Sequence, residues 1–180
     1  PHQVANALAA ASLARSYGID PRHVRDGLRR FTPAGHRIAE VGRVADVLYI
    51  DDSKATNTHA ADMSLRAYDP VVWIAGGLAK GQTFDELVQR HAARLRAVVL
   101  LGADRAIIRD ALRRHAPDVP VEEVSDTETG AMHEVVNRAA ALAQPGDTVL
   151  LAPGCASWDM FTDYAARGRA FAAAVADLEA

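Results

Sequence analysis

A chain of 180 residues that is 49% hydrophobic and 24% charged has the profile of one soluble globular domain with little attached to it. A formal net charge of -3 gives no global attraction to nucleic acid or to an anionic membrane, so any anion site has to be built locally, and small molecules are the expected partners. One cysteine excludes an internal disulfide, and no apolar run is long enough to span a bilayer, so the expected location is the cytoplasm.

The chain opens in a helical pattern, PHQVANALAAASLARSYGI, with no initiator methionine and no preceding cap, and is expected to be a piece of something longer. That helix closes at Gly18. The run DPRHVRDGLRRF reads as a second helix, with Asp20 as N-cap and Pro21 in the first helical position. Both are expected to be an attachment rather than part of the main sheet.

From Arg37 the period changes. HRIAEVGRVADVLYIDDS alternates apolar and polar residues and then becomes apolar, as in a hairpin that turns near Gly42 and feeds an inner strand. Further strands are predicted at Val71–Ala75, Ala97–Leu101, Val119–Val124 and Thr148–Leu151. Helices are predicted at about Thr58–Tyr68, Phe84–His91, Ala103–His115, Glu128–Ala143 and Trp158–Leu178. Strand followed by helix, repeated, predicts an α/β fold: a Rossmann-like open, mostly parallel sheet with helices on both faces and an antiparallel hairpin at its start.

In such a sheet ligands collect outside the carboxyl ends of the strands. The unusual residues do follow strands: DDSKATN after one, GGLAKGQ after the next and APGCASWD after the last. The opposite turns, AYDP, HAPDVP and AQPGD, carry ordinary turn residues. Three polar loops are therefore predicted to share one edge of one sheet.

Each loop has two readings. Asp52, Ser53, Thr56 and Asn57 serve equally well as caps for the following helix or as site residues. Lys54 fits capping poorly, because a cation at the start of a helix opposes the macrodipole unless an anion is near. In GGLAKG the glycines supply turn conformations, and Lys80 is the informative residue. No G-x-x-x-x-G-K-[ST] run occurs, so a cradle for an ATP γ-phosphate is missing. Cys155 reads as a small packed residue. Ser157 is either the N-cap of the last helix, with Asp159 in its first turn, or a carboxylate-binding hydroxyl. No H-E-x-x-H spacing occurs, no metal site is expected, and His59, His91, His115 and His133 read as helix-surface residues.

Taken together and in order, DDSKATN, GGLAKG and APGCASWDMF resemble the Mur ligase family, as do HQVANALAAASLA and the pair His36-Arg37. The D-S-K-A-T-N run is the most specific piece and is similar to the members that add D-glutamate. The resemblance implies that residues 1–33 are the helical end of a central ATPase domain and residues 34–180 a carboxyl-terminal, Rossmann-like amino-acid-binding domain. It implies an ATP-dependent amide-bond-forming ligase of cytoplasmic peptidoglycan assembly, in cell wall biogenesis. There the carboxylate of UDP-N-acetylmuramoyl-L-alanine is phosphorylated and the amine of D-glutamate attacks the acyl phosphate.

By the same resemblance Lys54, Thr56, Lys80, Ser157 and Tyr164 hold D-glutamate, while Asn6, Arg37, Asp52 and Lys54 reach toward ATP. Arg37 and Asp52 are expected at strand ends with partial burial. No catalytic residue is assigned in this chain. Gln3 departs from the asparagine that relatives often carry. ATP and Mg2+ are implied for the full-length enzyme, with none bound to this piece alone. The phosphate loop, the magnesium ligands and a modified lysine are expected in amino-terminal and central domains outside it, so the piece alone is expected to be inactive. Neither nucleic acid nor membrane is an expected partner. Two rivals stand beside this reading: a folylpolyglutamate-synthase-like ligase domain, and a stand-alone α/β module that binds a nucleotide or amino acid without chemistry.

Overall fold

The structure is a computed structural model and describes residues 2–31, 35–126, 128 and 130–178. The chain divides into two compact units, Pro1–Ala34 and Gly35–Ala180. The first holds α1 (His2–Ser16) and α2 (Pro21–Arg30). Asp20 caps α2 as the sequence predicts, its carboxylate accepting from the Arg22 amide at 2.7 Å.

The second unit runs β1 (Ala39–Val44), β2 (Val47–Asp51), α3 (Thr58–Leu65), β3 (Val71–Gly76), α4 (Asp85–His91), β4 (Leu95–Leu101), α5 (Arg105–His115), β5 (Val121–Glu123), α6 (Ala131–Leu142), β6 (Thr148–Leu151) and α7 (Tyr164–Ala176). These strands form one six-stranded sheet in the order β1-β2-β6-β3-β4-β5, parallel except where β1 pairs with β2. Both faces are covered. Along β3, Val71, Trp73 and Ala75 pack with Leu65, Val88, Ile108 and Leu112 of α3, α4 and α5. Val72 and Ile74 pack with Met132, Val135, Phe171 and Val175 of α6 and α7. A strand buried on both sides has no polar face, which is why the inner strands read as continuous apolar runs. No helix among the described residues is long and apolar enough to cross a membrane.

Three expectations need correction. The hairpin turns at Ala45-Asp46, with φ of 49° and 62°, and not at Gly42. This two-residue turn with both φ positive matches the twist of paired strands, and Gly42 instead sits within β1, where the register shifts by a bulge. The last helix starts at Tyr164 rather than Trp158, capped by Asp163, which accepts from the Ala166 amide at 2.6 Å. Residues before it form a separate turn in which the Ser157 carbonyl accepts from Met160 and Phe161 at 3.1 and 2.8 Å, turning both side chains into the core. His91 is no surface residue: it is 2% exposed, and its Nε2 lies 2.9 Å from the Asp62 carboxylate.

Candidate functional site

Because β6 lies between β2 and β3, the loops that leave these three strands are neighbours, as the sequence predicts. Backbone bonds tie them together. Leu78 and Ala156 exchange amide-to-carbonyl bonds of 2.9 and 3.0 Å, the Gly154 amide donates to Ala55 at 2.8 Å, and the Gly76 amide donates to Pro153 at 3.0 Å. Gln82 joins in through its side chain, accepting from the Thr58 amide at 2.9 Å and donating to the Ala79 carbonyl at 2.9 Å. The β4 end is tied in by Asp104, whose carboxylate accepts from the Ala79 amide at 2.8 Å. The close crossing needs glycine at position 77: φ is 126°, and a Cβ there would sit 2.2 Å from the Ala156 carbonyl oxygen.

In the β2 loop most of the polar groups serve the loop itself. Asp51 accepts from the Ser53 amide at 2.8 Å and meets His36 Nδ1 at 2.5 Å. Asn57 is the cap of α3, accepting from the Ala60 amide at 2.9 Å. Asp52 is 7% exposed, not partly buried as expected, and accepts from the Ser64 hydroxyl. Burial pushes the Asp52 carboxyl above its ordinary range, against the pull of that hydrogen bond. The Ser53 hydroxyl is no cap either. It donates to the Tyr164 carbonyl at 2.7 Å and accepts from Arg167 Nε at 2.9 Å.

What remains is Lys54 and Thr56. Lys54 is half-buried, with its ammonium 3.3 Å from the Tyr164 hydroxyl and 4.9 Å from the centre of that ring. Thr56 is half-buried, and its hydroxyl makes no hydrogen bond among the described residues. Lys80, exposed on the β3 loop, has φ of 52° and lies over the indole of Trp158. Neither lysine has a carboxylate partner among the described residues. Ser157 is 2% exposed at the head of the β6 loop and caps nothing through its side chain. Asp159, expected in the first turn of the last helix, instead accepts from the Ala103 amide at 2.8 Å. Tyr164, half-buried at the start of α7, has its ring centre 6.5 Å from that of His36, with the two planes at 74°.

The residues implied for the nucleotide are more scattered. Arg37 is exposed just before β1, not partly buried as expected, because it precedes the strand rather than ending one, and it is close enough for its charge to bear on Asp52. Asn6 is exposed on α1 in the first unit, and the side chain of Gln3 lies outside the described residues. Among the described residues no group of three or more His, Cys, Asp or Glu could hold a metal ion.

Sequence reasoning missed Arg167. It is 1% exposed on α7 and donates to the Ser53 hydroxyl at 2.9 Å, the Ser53 carbonyl at 2.8 Å and the Cys155 carbonyl at 3.1 Å, clamping the β2 loop to the β6 loop. Burial pulls its pKa down to about 10, so it stays charged at neutral pH. Beside it, Gly168 leaves room for the His36–Asp51 pair, since a Cβ there would stand 2.1 Å from His36 Nδ1. No local signal announces a buried arginine in a helix. Cys155 is inert as expected, because burial pushes its thiol up to about 12.

The geometry thus offers two lysines free of carboxylates and a buried hydroxyl on three adjoining loops, a set suited to a small molecule with more than one carboxylate. Residues 36–155 match the family described as Mur ligase, glutamate ligase domain. Over 180 residues the chain is 65% identical to UDP-N-acetylmuramoylalanine--D-glutamate ligase of Streptomyces coelicolor, covering 100% of this chain and 38% of that relative. The proteins of the same name from Thermobifida fusca and Mycolicibacterium smegmatis are 64% and 48% identical, over 96% and 97% of this chain and 37% and 42% of theirs. The chain therefore spans about two fifths of the length of the curated relatives it matches. Among solved structures, UDP-N-acetylmuramate-alanine ligase from Thermotoga maritima has a TM-score of 0.64 at 18% identity, covering 98% of this chain and 38% of that one. MurF from Acinetobacter baumannii has a TM-score of 0.59 at 20% identity, covering 98% and 37%. At such identities the likeness is one of fold.

Proposed function

Because this chain belongs to the Mur ligase family, through its glutamate ligase domain, we propose that it supplies the D-glutamate site of an ATP-dependent ligase that joins D-glutamate to UDP-N-acetylmuramoyl-L-alanine in peptidoglycan synthesis. Lys80 and Ser157 hold the side-chain carboxylate, and Lys54, Thr56 and Tyr164 complete the amino-acid site. Arg37 and Asp52, with Lys54, face ATP. The observation that supports this reading best is the pair of lysines without carboxylate partners on adjoining strand ends, where an anionic amino acid brings the missing charge.

The chain's part in the chemistry is positioning and charge stabilisation. It fixes the D-glutamate amine in line with an acyl phosphate formed elsewhere in the enzyme, Lys80 by holding the side-chain carboxylate in the ground state and Lys54 by facing the charge that develops. ATP and Mg2+ supply the activation of the carboxylate when bound to the whole enzyme. The phosphate cradle belongs to the rest of it, as no G-x-x-x-x-G-K-[ST] run occurs here.

The test compares Lys80→Ala with Ser157→Ala in the full-length enzyme. Losing one member of a desolvated charge pair costs about 2–5 kcal/mol of binding, whereas losing a neutral hydrogen bond costs about 0.5–1.5 kcal/mol. The D-glutamate KM should rise far more for the lysine variant, with the ATP KM unmoved at saturating D-glutamate. An unchanged D-glutamate KM for Lys80→Ala would remove the site from this edge of the sheet.

A further inference from the structure

We propose that Trp158 is a positioning residue for Lys80, its indole face holding the ammonium where the side-chain carboxylate of the incoming amino acid arrives. The inference rests on the reading that Lys80 meets that carboxylate. Its own ground is a contact between two loops: the Lys80 ammonium lies 3.7 Å from the centre of the Trp158 ring.

Three further observations make this contact more than a chance overlap. Within this chain Trp158 is 66% exposed, directly after the buried Ser157. It contributes to neither core cluster, unlike Met160 and Phe161 of the same turn, so core packing does not explain it. Lys80 takes a left-handed backbone with φ of 52°, which an L-residue adopts at a cost, and the loop around it is fixed by the Leu78–Ala156 exchange and by the 2.8 Å bond from the Ala79 amide to Asp104. Both partners thus stand on pinned backbone, and what is left to order is the lysine's four-carbon stem.

A lysine ammonium is a compact, strongly hydrated charge on a flexible stem, and a binding site that uses one has to immobilise it. The electron-rich face of an indole attracts the ammonium from one side and accepts no classical hydrogen bond, so the outward N–H groups stay free for a carboxylate. Pre-stacking removes part of the ordering that binding would otherwise require. The effect belongs to ground-state binding, so it moves the D-glutamate KM and not kcat.

The experiment uses the full-length enzyme with Trp158→Leu, Trp158→Phe, Lys80→Met and the double variant Trp158→Leu/Lys80→Met. Trp158→Leu should raise the D-glutamate KM about 2- to 5-fold, the worth of an exposed cation–π contact. Its kcat and ATP KM should match wild type. Trp158→Phe, which keeps an aromatic face, should restore at least half of the effect, and Trp158→Leu should add nothing when Lys80 is already methionine. A rise of equal size in both backgrounds would overturn the inference, because the tryptophan would then act on something other than Lys80. So would no rise in the single variant, or a phenylalanine no better than leucine. If Lys80→Met itself leaves the D-glutamate KM unchanged, the underlying reading of the site fails, a different result from the failure of Trp158 alone. Should Trp158→Leu lower the melting temperature, the phenylalanine comparison and the double variant still decide.

Discussion

Replacing Arg167 by methionine in the full-length enzyme removes a buried cation that no sequence pattern announces while keeping most of the side-chain volume. The guanidinium is 1% exposed and makes three donations, at 2.9, 2.8 and 3.1 Å, to groups on two different loops. Hydrogen bonds to a charged group are worth about 1.5–3 kcal/mol each, which sets an upper bound of about 5–9 kcal/mol for the three. Bonds made by one group do not add, and the charge is held at a desolvation cost visible in its pKa, pulled down to about 10. Removing the guanidinium leaves the Ser53 and Cys155 carbonyls without that donor, at about 1–3 kcal/mol for each buried group left unsatisfied, so the expected loss is about 2–6 kcal/mol. Arg167→Lys should recover only part of it, since an ammonium cannot span Ser53 and Cys155 as a planar fork does. The same clamp holds the backbone directly before Lys54 and two residues before Ser157, so the D-glutamate KM should rise in parallel. Urea unfolding followed by circular dichroism, with kinetics taken well below the transition, measures both effects. A methionine variant within about 0.5 kcal/mol of wild type, the range of ordinary surface substitutions, would refute the clamp.

Gly77→Ala should cost about 1–3 kcal/mol through its positive φ, and more through the clash of its Cβ with the Ala156 carbonyl oxygen at 2.2 Å; urea unfolding checks it, and wild-type stability would mean that the crossing is looser than described. Asp52→Ala should lower stability by about 0.5–1.5 kcal/mol, because the Ser64 hydroxyl loses its charged acceptor and keeps the Ala60 carbonyl at 3.2 Å, so both the melting temperature and the ATP KM should move; an unmoved melting temperature would return Asp52 to a purely ligand-facing role. Asp62 carries a pH test. Burial alone would raise its carboxyl, but the hydrogen bonds from Arg90 and His91 and the charge of Arg66 outweigh it and hold the pKa at about 2 against an ordinary 3.8. A folded pKa below the unfolded one means stability that is present above the unfolded value and lost as pH falls toward the folded one, about 2 kcal/mol at most, since Arg66 and Arg90 are half in water and screened. Asp62→Asn should therefore cost about that much at pH 7, and the cost should fade between about pH 4 and pH 2; a pH-independent difference would refute the assignment.

The inner strands were legible because burial on both faces leaves an uninterrupted apolar run, and Thr148–Leu151 lies where the pattern places it. The three polar loops were legible for a topological reason, since only strand carboxyl ends gather such residues in an α/β sheet. The hairpin turn was missed because Ala45-Asp46 carries neither the Asn-Gly nor the Asp-Gly signal of a turn with both φ positive, while the glycine nearby serves a bulge. The start of α7 was missed because Ser157 with Asp159 imitates a cap as well as Asp163 does; what decides is that the intervening turn buries Met160 and Phe161. His91 and Arg167 share a deeper obstacle. Their partners Asp62 and Ser53 lie 29 and 114 residues away, and nothing local distinguishes a basic side chain that finds a buried partner from one left in water.

The crowding of polar groups in DDSKATN is explained once each group is assigned its partner. Asp52, Ser53 and Asn57, with Asp51 before them, are engaged by Ser64, Arg167, the start of α3 and His36. Their hydrogen-bonding capacity holds the loop in one shape, and substituting any of them disturbs that shape first. Lys54 and Thr56 stand among them with little to do for the fold: among the described residues the lysine ammonium bonds to Tyr164 alone, and the threonine hydroxyl has no partner. A site that holds a ligand within a few tenths of an ångström needs this division, because groups that face the ligand can be rigid only if others fix the backbone beneath them. The same division recurs on the β3 loop, where Leu78, Ala79 and Gln82 are tied down and Lys80 projects. It also explains why single-residue reasoning could not choose between cap and site: the loop contains both kinds of residue, interleaved, and only the partner across the sheet tells one from the other.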